Sequence, residues 1–380
     1  MKKILEMCNG CSACALNCPV QAIEMKENDK GFLQAYINEK LCVNCNQCEY
    51  ICNSSKIALY DITKSEHYVA VSKDRKILKK SSSGGLGYIF AKSYIDFGKK
   101  GCGVSYNRKT DNAEHIIYTD EELLHQTQGS KYLQSNNINA FREALLYNDD
   151  MIIFGTPCQI AGFRQVIKNK KDKEHFLLID IFCHGVPSTK LWRNHINQIR
   201  TKKNIQDEIF PEFRENKNFF LKFSNYFHWY NQDAFMMLFL SGNCLNMACY
   251  SCPYRRTSSA DIRIGDLMSP KYKSLWYSPS CVCVNSENGK NFYNSLSDKI
   301  ESYHIDFSEI DNIQEDICKK NIKEINSNFL LLSKDDITPE MIVGRKIFFN
   351  RLKSLVKIPY IKILKNFMKD DLYNIVNKGL

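Results

Sequence analysis

Eight cysteines within the first 52 residues place the tightest constraint on how this chain folds. Cys8, Cys11, Cys14 and Cys18 follow the spacing C-x2-C-x2-C-x3-C and are succeeded by Pro19. Cys42, Cys45, Cys48 and Cys52 repeat the spacing, with Asn53 in place of the proline. A tight loop with a cysteine at every third residue wraps three corners of an iron–sulfur cubane. The fourth cysteine points away and reaches the other cubane. The spacing therefore assigns Cys8, Cys11, Cys14 and Cys52 to one 4Fe-4S cluster, and Cys42, Cys45, Cys48 and Cys18 to a second. Zinc sites use ligands in two spaced pairs, which two complete four-cysteine runs fit poorly.

The chain has 17 cysteines in 380 residues, and the odd number argues against a pure disulfide framework. A 44% hydrophobic fraction with 25% charged residues is that of a globular protein, long enough for a small module and a large domain. No apolar run approaches the roughly 18 residues that span a bilayer. Lys2 and Lys3 are followed at once by Glu6 and the cysteine run, unlike a secretory signal, so cytoplasmic residence is expected.

Beyond the repeat, residues 55–80 read as a connector with a short strand at Tyr68–Val71. Ser81, Ser82, Ser83, Gly84 and Gly85 then precede a helical pattern from Leu86 to Phe97. Backbone N–H groups at such a start suit a phosphate, although Ser and Gly there also serve as an ordinary cap and turn. Met151–Phe154 predicts a buried strand ended by Gly155-Thr156-Pro157-Cys158, residues 159–171 a helix, and Phe176–Phe182 a second strand ended by Cys183-His184-Gly185. Strand, helix, strand at this spacing is a βαβ unit with parallel, adjacent strands. Both cysteines then leave the sheet at its carboxyl edge, where open α/β sheets bind ligands. Neighbouring strands lie only ~4.8 Å apart, close enough for two thiols to share one cluster. Cys249 and Cys252 form a C-x2-C pair with Cys244 nearby, and with Cys158 and Cys183 they would complete a third 4Fe-4S site. On spacing alone, a zinc knuckle or unmetallated thiols stand as the other reading.

The N-terminal stretch, residues 1–60, resembles bacterial two-cluster ferredoxins. Six later phrases, in order, resemble the coenzyme F420 hydrogenase/dehydrogenase beta-subunit family, which includes reductases such as 7-hydroxymethyl chlorophyll a reductase. They are Ser82-Ser83-Gly84-Gly85, Gly129-Ser130-Lys131-Tyr132-Leu133-Gln134-Ser135, Gly155-Thr156-Pro157-Cys158-Gln159, Asp180 through Ser188, Cys249 through Arg255, and Asp261 through Asp266. The resemblance covers roughly residues 68–330. It implies FAD on the α/β body beside a cluster. Ser83, Gly84, Gly85, Ser130, Lys131, Tyr132, Gln134 and Ser135 would hold its phosphates and ring. Thr156 and Pro157 would shape the floor near the isoalloxazine. Cys158, Cys183, Cys249 and Cys252 would hold the third cluster, with Cys244 in reserve. His184 is a candidate proton donor or, equally, a core histidine.

Other features argue for little. Cys102 lies between small residues and reads as a buried thiol. Cys281 and Cys283 alternate with valines and face the core side of a strand. Cys318 has no partner at ligand spacing. Residues 341–369 hold eight Lys/Arg and no Asp/Glu, although the whole chain carries only +10. This tail reads as a packed C-terminal helix with solvated lysines, as a basic amphipathic pair on an anionic membrane surface, or as a docking face for an acidic donor such as ferredoxin. No nucleic-acid motif accompanies the charge.

The sequence thus predicts an α+β ferredoxin-like N-terminal module, residues 1–60. An α/β flavin-binding domain with a partly parallel sheet would follow over 61–335, then a basic tail over 336–380. The function expected is an iron–sulfur flavoprotein oxidoreductase. It would pass electrons from ferredoxin, another low-potential donor or a partner subunit through three 4Fe-4S clusters to FAD, and on to a small organic substrate. A non-catalytic electron-transfer subunit of a larger hydrogenase or dehydrogenase is the alternative.

Overall fold

The computed structural model describes residues 2–3, 7–55, 57–168, 175–215, 218–267, 269–272, 278–311 and 322–344. Cys318 and residues 345–380 of the basic tail lie outside them. No helix among the described residues is long and apolar enough to cross a membrane.

The body is built on a nine-stranded sheet. Its strand order is Ile300–His304, Glu66–Ser72, Ser280–Val284, Ile262–Asp266, Phe176–Ile181, Met151–Gly155, Lys100–Asn107, Asn112–Tyr118, Ser135–Asn136. The four central strands, from Ile262–Asp266 to Lys100–Asn107, run parallel, and antiparallel strands flank them on both sides. Met151–Gly155 and Phe176–Ile181 are neighbours in register, joined by the helix Pro157–Lys168, as the βαβ spacing predicts. Both strands are almost wholly buried, which is why their apolar residues do not alternate with exposed polar ones, Asp180 being the one charged residue in either. The Tyr68–Val71 candidate is the middle of the longer strand Glu66–Ser72.

The N-terminal module shares its core with the body. Ala13, Ala15, Leu16, Ile23, Ala35 and Ile51 join one buried cluster with Phe141, Ile160, Phe163 and Val166. The contact with the helix Pro157–Lys168 depends on Gly162: a Cβ there would stand 3.0 Å from Ala13 Cβ and 3.2 Å from Cys11 Sγ. Buried polar bonds reinforce this seam. Ser12 Oγ donates to Asn137 Oδ1 at 2.7 Å, Asn137 Nδ2 donates to the Cys11 carbonyl at 3.2 Å, and Leu33 N donates to Gln134 Oε1 at 2.9 Å.

A second buried polar group secures the C-terminal end of the described chain. His195, in the helix Thr189–Lys203, is buried with Asp233 Oδ2 2.8 Å from Nε2 and Glu340 Oε1 3.4 Å from Nδ1. Burial alone would lower the imidazole's pKa, but the two carboxylates outweigh it and raise it from 6.5 to about 9. A raised folded-state pKa means the contribution is complete below about pH 6.5 and is lost as pH climbs through about 9. Thermal unfolding midpoints should therefore fall across that window. The fall should be shallower in His195→Gln, and equal slopes in the two proteins would contradict the assignment.

Candidate functional site

The structure brings Cys8, Cys11, Cys14 and Cys52 close together. The Cys11 and Cys14 thiols are buried beside Cys8 and Cys52, and burial followed by their mutual repulsion raises the pKa of both. Cys52 is thus drawn from the second run into the first set. In the second set, Cys48 is raised by burial and feels Cys18 and Cys42. Cys45 sits on an exposed loop, with residues 43–47 all at the surface. One set therefore lies under the helix Pro157–Lys168, and the other at the periphery.

In the body, thiols from three distant stretches converge. Cys158 opens the helix Pro157–Lys168, Cys183 follows the strand Phe176–Ile181, and Cys249 and Cys252 flank the end of the short helix Met247–Tyr250. All four line one small cavity. Burial and the charge of the others push Cys158 and Cys249 well above the usual thiol value, and burial leads the rise of Cys183 to about 11. Four crowded, desolvated thiols ionise readily only if a cationic centre neutralises them. That donor set suits an iron–sulfur core. Among the described residues, no three Cys, His, Asp or Glu side chains gather at the spacing of a single metal ion.

Cys244 is elsewhere. It is buried with Phe32, Leu191, Leu238, Leu332 and Ile337, and burial alone raises its thiol to about 12. Its expected reserve role therefore fails on position. Cys102, Cys281 and Cys283 are fully buried core thiols, as their contexts predict. His184 is among the lining residues of neither cavity, although Cys183 and Gly185 beside it line the cysteine cavity, and its Nε2 is 3.2 Å from the Phe239 carbonyl.

The body cysteines are held by a buried ion pair that spacing did not reveal. Arg263 donates through Nε and Nη2 to the two Asp180 oxygens at 2.7 Å each. Its remaining bonds go to the carbonyls of Tyr254 and Thr257, both at 2.9 Å. The pair thus clamps the loop after Cys252 to the strand that delivers Cys183. Arg255 and Arg263 also lower the Cys183 pKa against the larger upward push of burial.

Electrostatic coupling joins this site to the first N-terminal set. Cys158 feels Cys11. Tyr254, 2% exposed, lies within electrostatic reach of Cys11 and Cys52 on one side and of Cys158 and Cys252 on the other.

On the far side lies a groove of about 350 Å³, within the range of small-molecule sites. Ser83, Gly85, Ser130, Lys131, Tyr132, Ser135 and Thr156 line it. Ser130 N and Oγ both donate to Ser82 Oγ, at 3.2 and 2.9 Å, joining the two serine-containing phrases. Gly85, at φ 80°, starts the helix Leu86–Asp96 without a side-chain cap, and Leu86 and Gly87 face the groove. This leaves helix-terminal N–H groups for an anion. Lys131 Nζ donates to the carbonyls of Gln126 and Gln128 at 3.2 and 2.7 Å, and loss of water lowers its pKa to about 7.

Three expected contacts are placed differently. Gly84 packs against the sheet, where an added Cβ would meet the Ala70 carbonyl and Ser280 N. Gln134 and Pro157 line the cysteine cavity. Ser135, Thr156 and Gln159 line both cavities and form the wall between them. Ser280, whose Oγ accepts from Gly84 N at 3.1 Å, and Gln159 were missed. The Thr-x-x-Gln pattern of a helix capping box was the available signal for Gln159.

Residues 148–312 match the family described as the C terminus of the coenzyme F420 hydrogenase/dehydrogenase beta subunit, and residues 7–56 match a 4Fe-4S dicluster domain. The chain is 25% identical over 316 residues to the F subunit of the F(420)H(2) dehydrogenase of Methanosarcina mazei, covering 78% of this chain and 84% of that protein. It is 25% identical over 261 residues to the beta subunit of the coenzyme F420 hydrogenase of Methanococcus voltae, covering 63% and 83%. Among solved structures, a chain of the F420-reducing [NiFe] hydrogenase complex from Methanosarcina barkeri shares the fold. Its TM-score is 0.50 at 16% identity, covering 72% of this chain and 91% of that one.

Two substitutions test the geometry. Asp180→Asn should cost about 3–5 kcal/mol of folding stability by leaving Arg263 buried without its counter-charge, read by chemical denaturation. Cys183→Ser should remove about four irons per chain, the content of one cubane, whereas Cys244→Ser should leave the iron content unchanged. Iron loss from the second variant would restore Cys244 to the site.

Proposed function

Since the chain belongs to the coenzyme F420 hydrogenase/dehydrogenase beta-subunit family and carries an N-terminal 4Fe-4S dicluster domain, we propose that it is the iron–sulfur electron-transfer subunit of an oxidoreductase complex. The observation that carries this reading is a line of thiol sets across the molecule. The exposed set around Cys45 leads to the buried set around Cys11, and Cys11 lies within reach of Cys158. Cys8, Cys11, Cys14 and Cys52 would hold one cluster, Cys18, Cys42, Cys45 and Cys48 a second, and Cys158, Cys183, Cys249 and Cys252 a third. Thiolates from separate stretches around each core fix the distances between centres. The exposed loop of residues 43–47 gives a partner subunit access to the outermost centre.

One observation favours a fuller reading, in which the chain also houses the site of two-electron chemistry. The groove shares Ser135, Thr156 and Gln159 with the cysteine cavity, so a ligand there would lie one layer of side chains from the third set. The uncapped N-terminus of the helix Leu86–Asp96, the serines at 82, 83 and 130, and Lys131 suit a dinucleotide's phosphates. Tyr132, packed among Phe213, Phe219 and Phe239, supplies an aromatic wall to the groove. FAD bound there would convert one-electron supply from the clusters into two-electron transfer to or from a small organic substrate. The protein's part is to bind and orient it, and to hold it against the cysteine wall.

Anaerobic purification with iron, sulfide, zinc and flavin analysis tests both readings. Three clusters correspond to about twelve irons per chain, and one flavin is expected. About eight irons with one zinc would remove the third cluster, and absence of flavin would confine the chain to electron transfer. Stable co-purification with a larger oxidoreductase partner, with no turnover by the chain alone, would support the subunit role.

A further inference from the structure

Thr156 occupies the one-residue link between the strand Met151–Gly155 and the helix Pro157–Lys168. Its neighbours Pro157, Cys158 and Gln159 complete a Thr-x-x-Gln capping box. In that motif the threonine hydroxyl accepts from the backbone N–H three residues on, while the glutamine reaches back to the threonine N–H. The second half is present, with Thr156 N donating to Gln159 Oε1 at 3.0 Å. The hydroxyl is used differently. Oγ1 stands 3.3 Å from Cys158 Sγ and 3.0 Å from Gln159 Oε1. Gln159 is anchored in turn, its Nε2 donating to the Ser135 carbonyl and Oγ at 3.1 and 3.2 Å.

We propose that Thr156 is a positioning residue whose hydroxyl hydrogen-bonds the Cys158 sulfur and raises the reduction potential of the third cluster. The inference rests on the ligand set assigned above. A hydroxyl carries one proton, so it donates either to Sγ or to Gln159 Oε1. As a metal ligand, Cys158 is a thiolate with no proton of its own, leaving the threonine hydroxyl as the donor in the pair. Gln159 Oε1 loses little when the hydroxyl turns away, because Thr156 N still donates to it. One-electron reduction adds negative charge that spreads onto the ligand sulfurs, and a donor already aimed at Sγ stabilises that state more than the oxidised one. No bond is made or broken, and the proton stays on Oγ1. Hydrogen bonds to the sulfurs are among the factors that set iron–sulfur potentials. Thr156 also faces the groove, so the contact lies on the side of the cluster nearest any groove ligand.

The test is a redox titration of the full-length, anaerobically purified protein, followed by electron paramagnetic resonance. Thr156→Val keeps the branched shape and removes the hydroxyl, Thr156→Ala removes it without the shape, and Thr156→Ser retains it. The midpoint of the third-cluster signal should move to more negative values in the valine and alanine variants and stay near the parent value in the serine variant. The two N-terminal signals should not move. Loss of about four irons in the valine and alanine variants, but not in the serine variant, would show the same contact holding the cluster itself. Unchanged third-cluster midpoints without the hydroxyl would overturn the inference while leaving the ligand set intact. A parent protein with about eight irons and no third signal would overturn the ligand set, and this inference with it.

Discussion

Asp180 and Arg263 meet where neither side chain has any exposure to solvent. Ions so placed are strongly destabilising unless every hydrogen-bonding position is used. Here Arg263 meets both carboxylate oxygens and two backbone carbonyls, while Asp180 also accepts from Ser258 Oγ at 2.8 Å. A pair of well-packed apolar side chains could fill the same volume, but would not tie the loop containing Tyr254 and Thr257 to the strand that ends at Cys183. The geometry of the body thiols follows from that tie, and so does the position of Tyr254 between two sets of cysteines.

The second constraint is steric. The N-terminal module meets the body through the absent side chain of Gly162, against which Ala13 and Cys11 pack. Bulk at that position would separate the sets, and electron transfer weakens with distance. Polar contacts along the same seam, through Asn137 and Gln134, fix the register of the docking that the glycine permits. The module is thus a continuation of the body's core, and the boundary near residue 60 marks a change of sequence pattern more than a division of packing.

Functional asymmetry follows from burial. The second N-terminal set lies at the surface with Cys45 exposed, the first is covered, and the body set is enclosed between the first and the groove wall. One end of this series is exposed at the surface and the other borders the groove. Ser135, Thr156 and Gln159 are the only layer shared by the enclosed thiols and the groove among the lining residues described.

Much of this arrangement is legible in the amino-acid order alone. The repeated C-x2-C-x2-C-x3-C spacing points Cys52 toward the first run, where it lies near Cys11 and Cys14, because such a short loop has few ways of arranging its thiols. The largely apolar stretches at 151–154 and 176–182 determined two adjacent parallel strands, since buried strands joined by a helix have little alternative. Sequence could not choose between Cys158 and Cys244, decide that Gln134 and Pro157 face the thiols, or find the Asp180–Arg263 clamp. Those outcomes depend on side chains brought together from distant stretches, as 180 and 263 are, 83 residues apart. Local spacing fixes what lies within a few residues along the chain. Which distant residue occupies a shared volume is decided only when the core closes and excludes the other candidates.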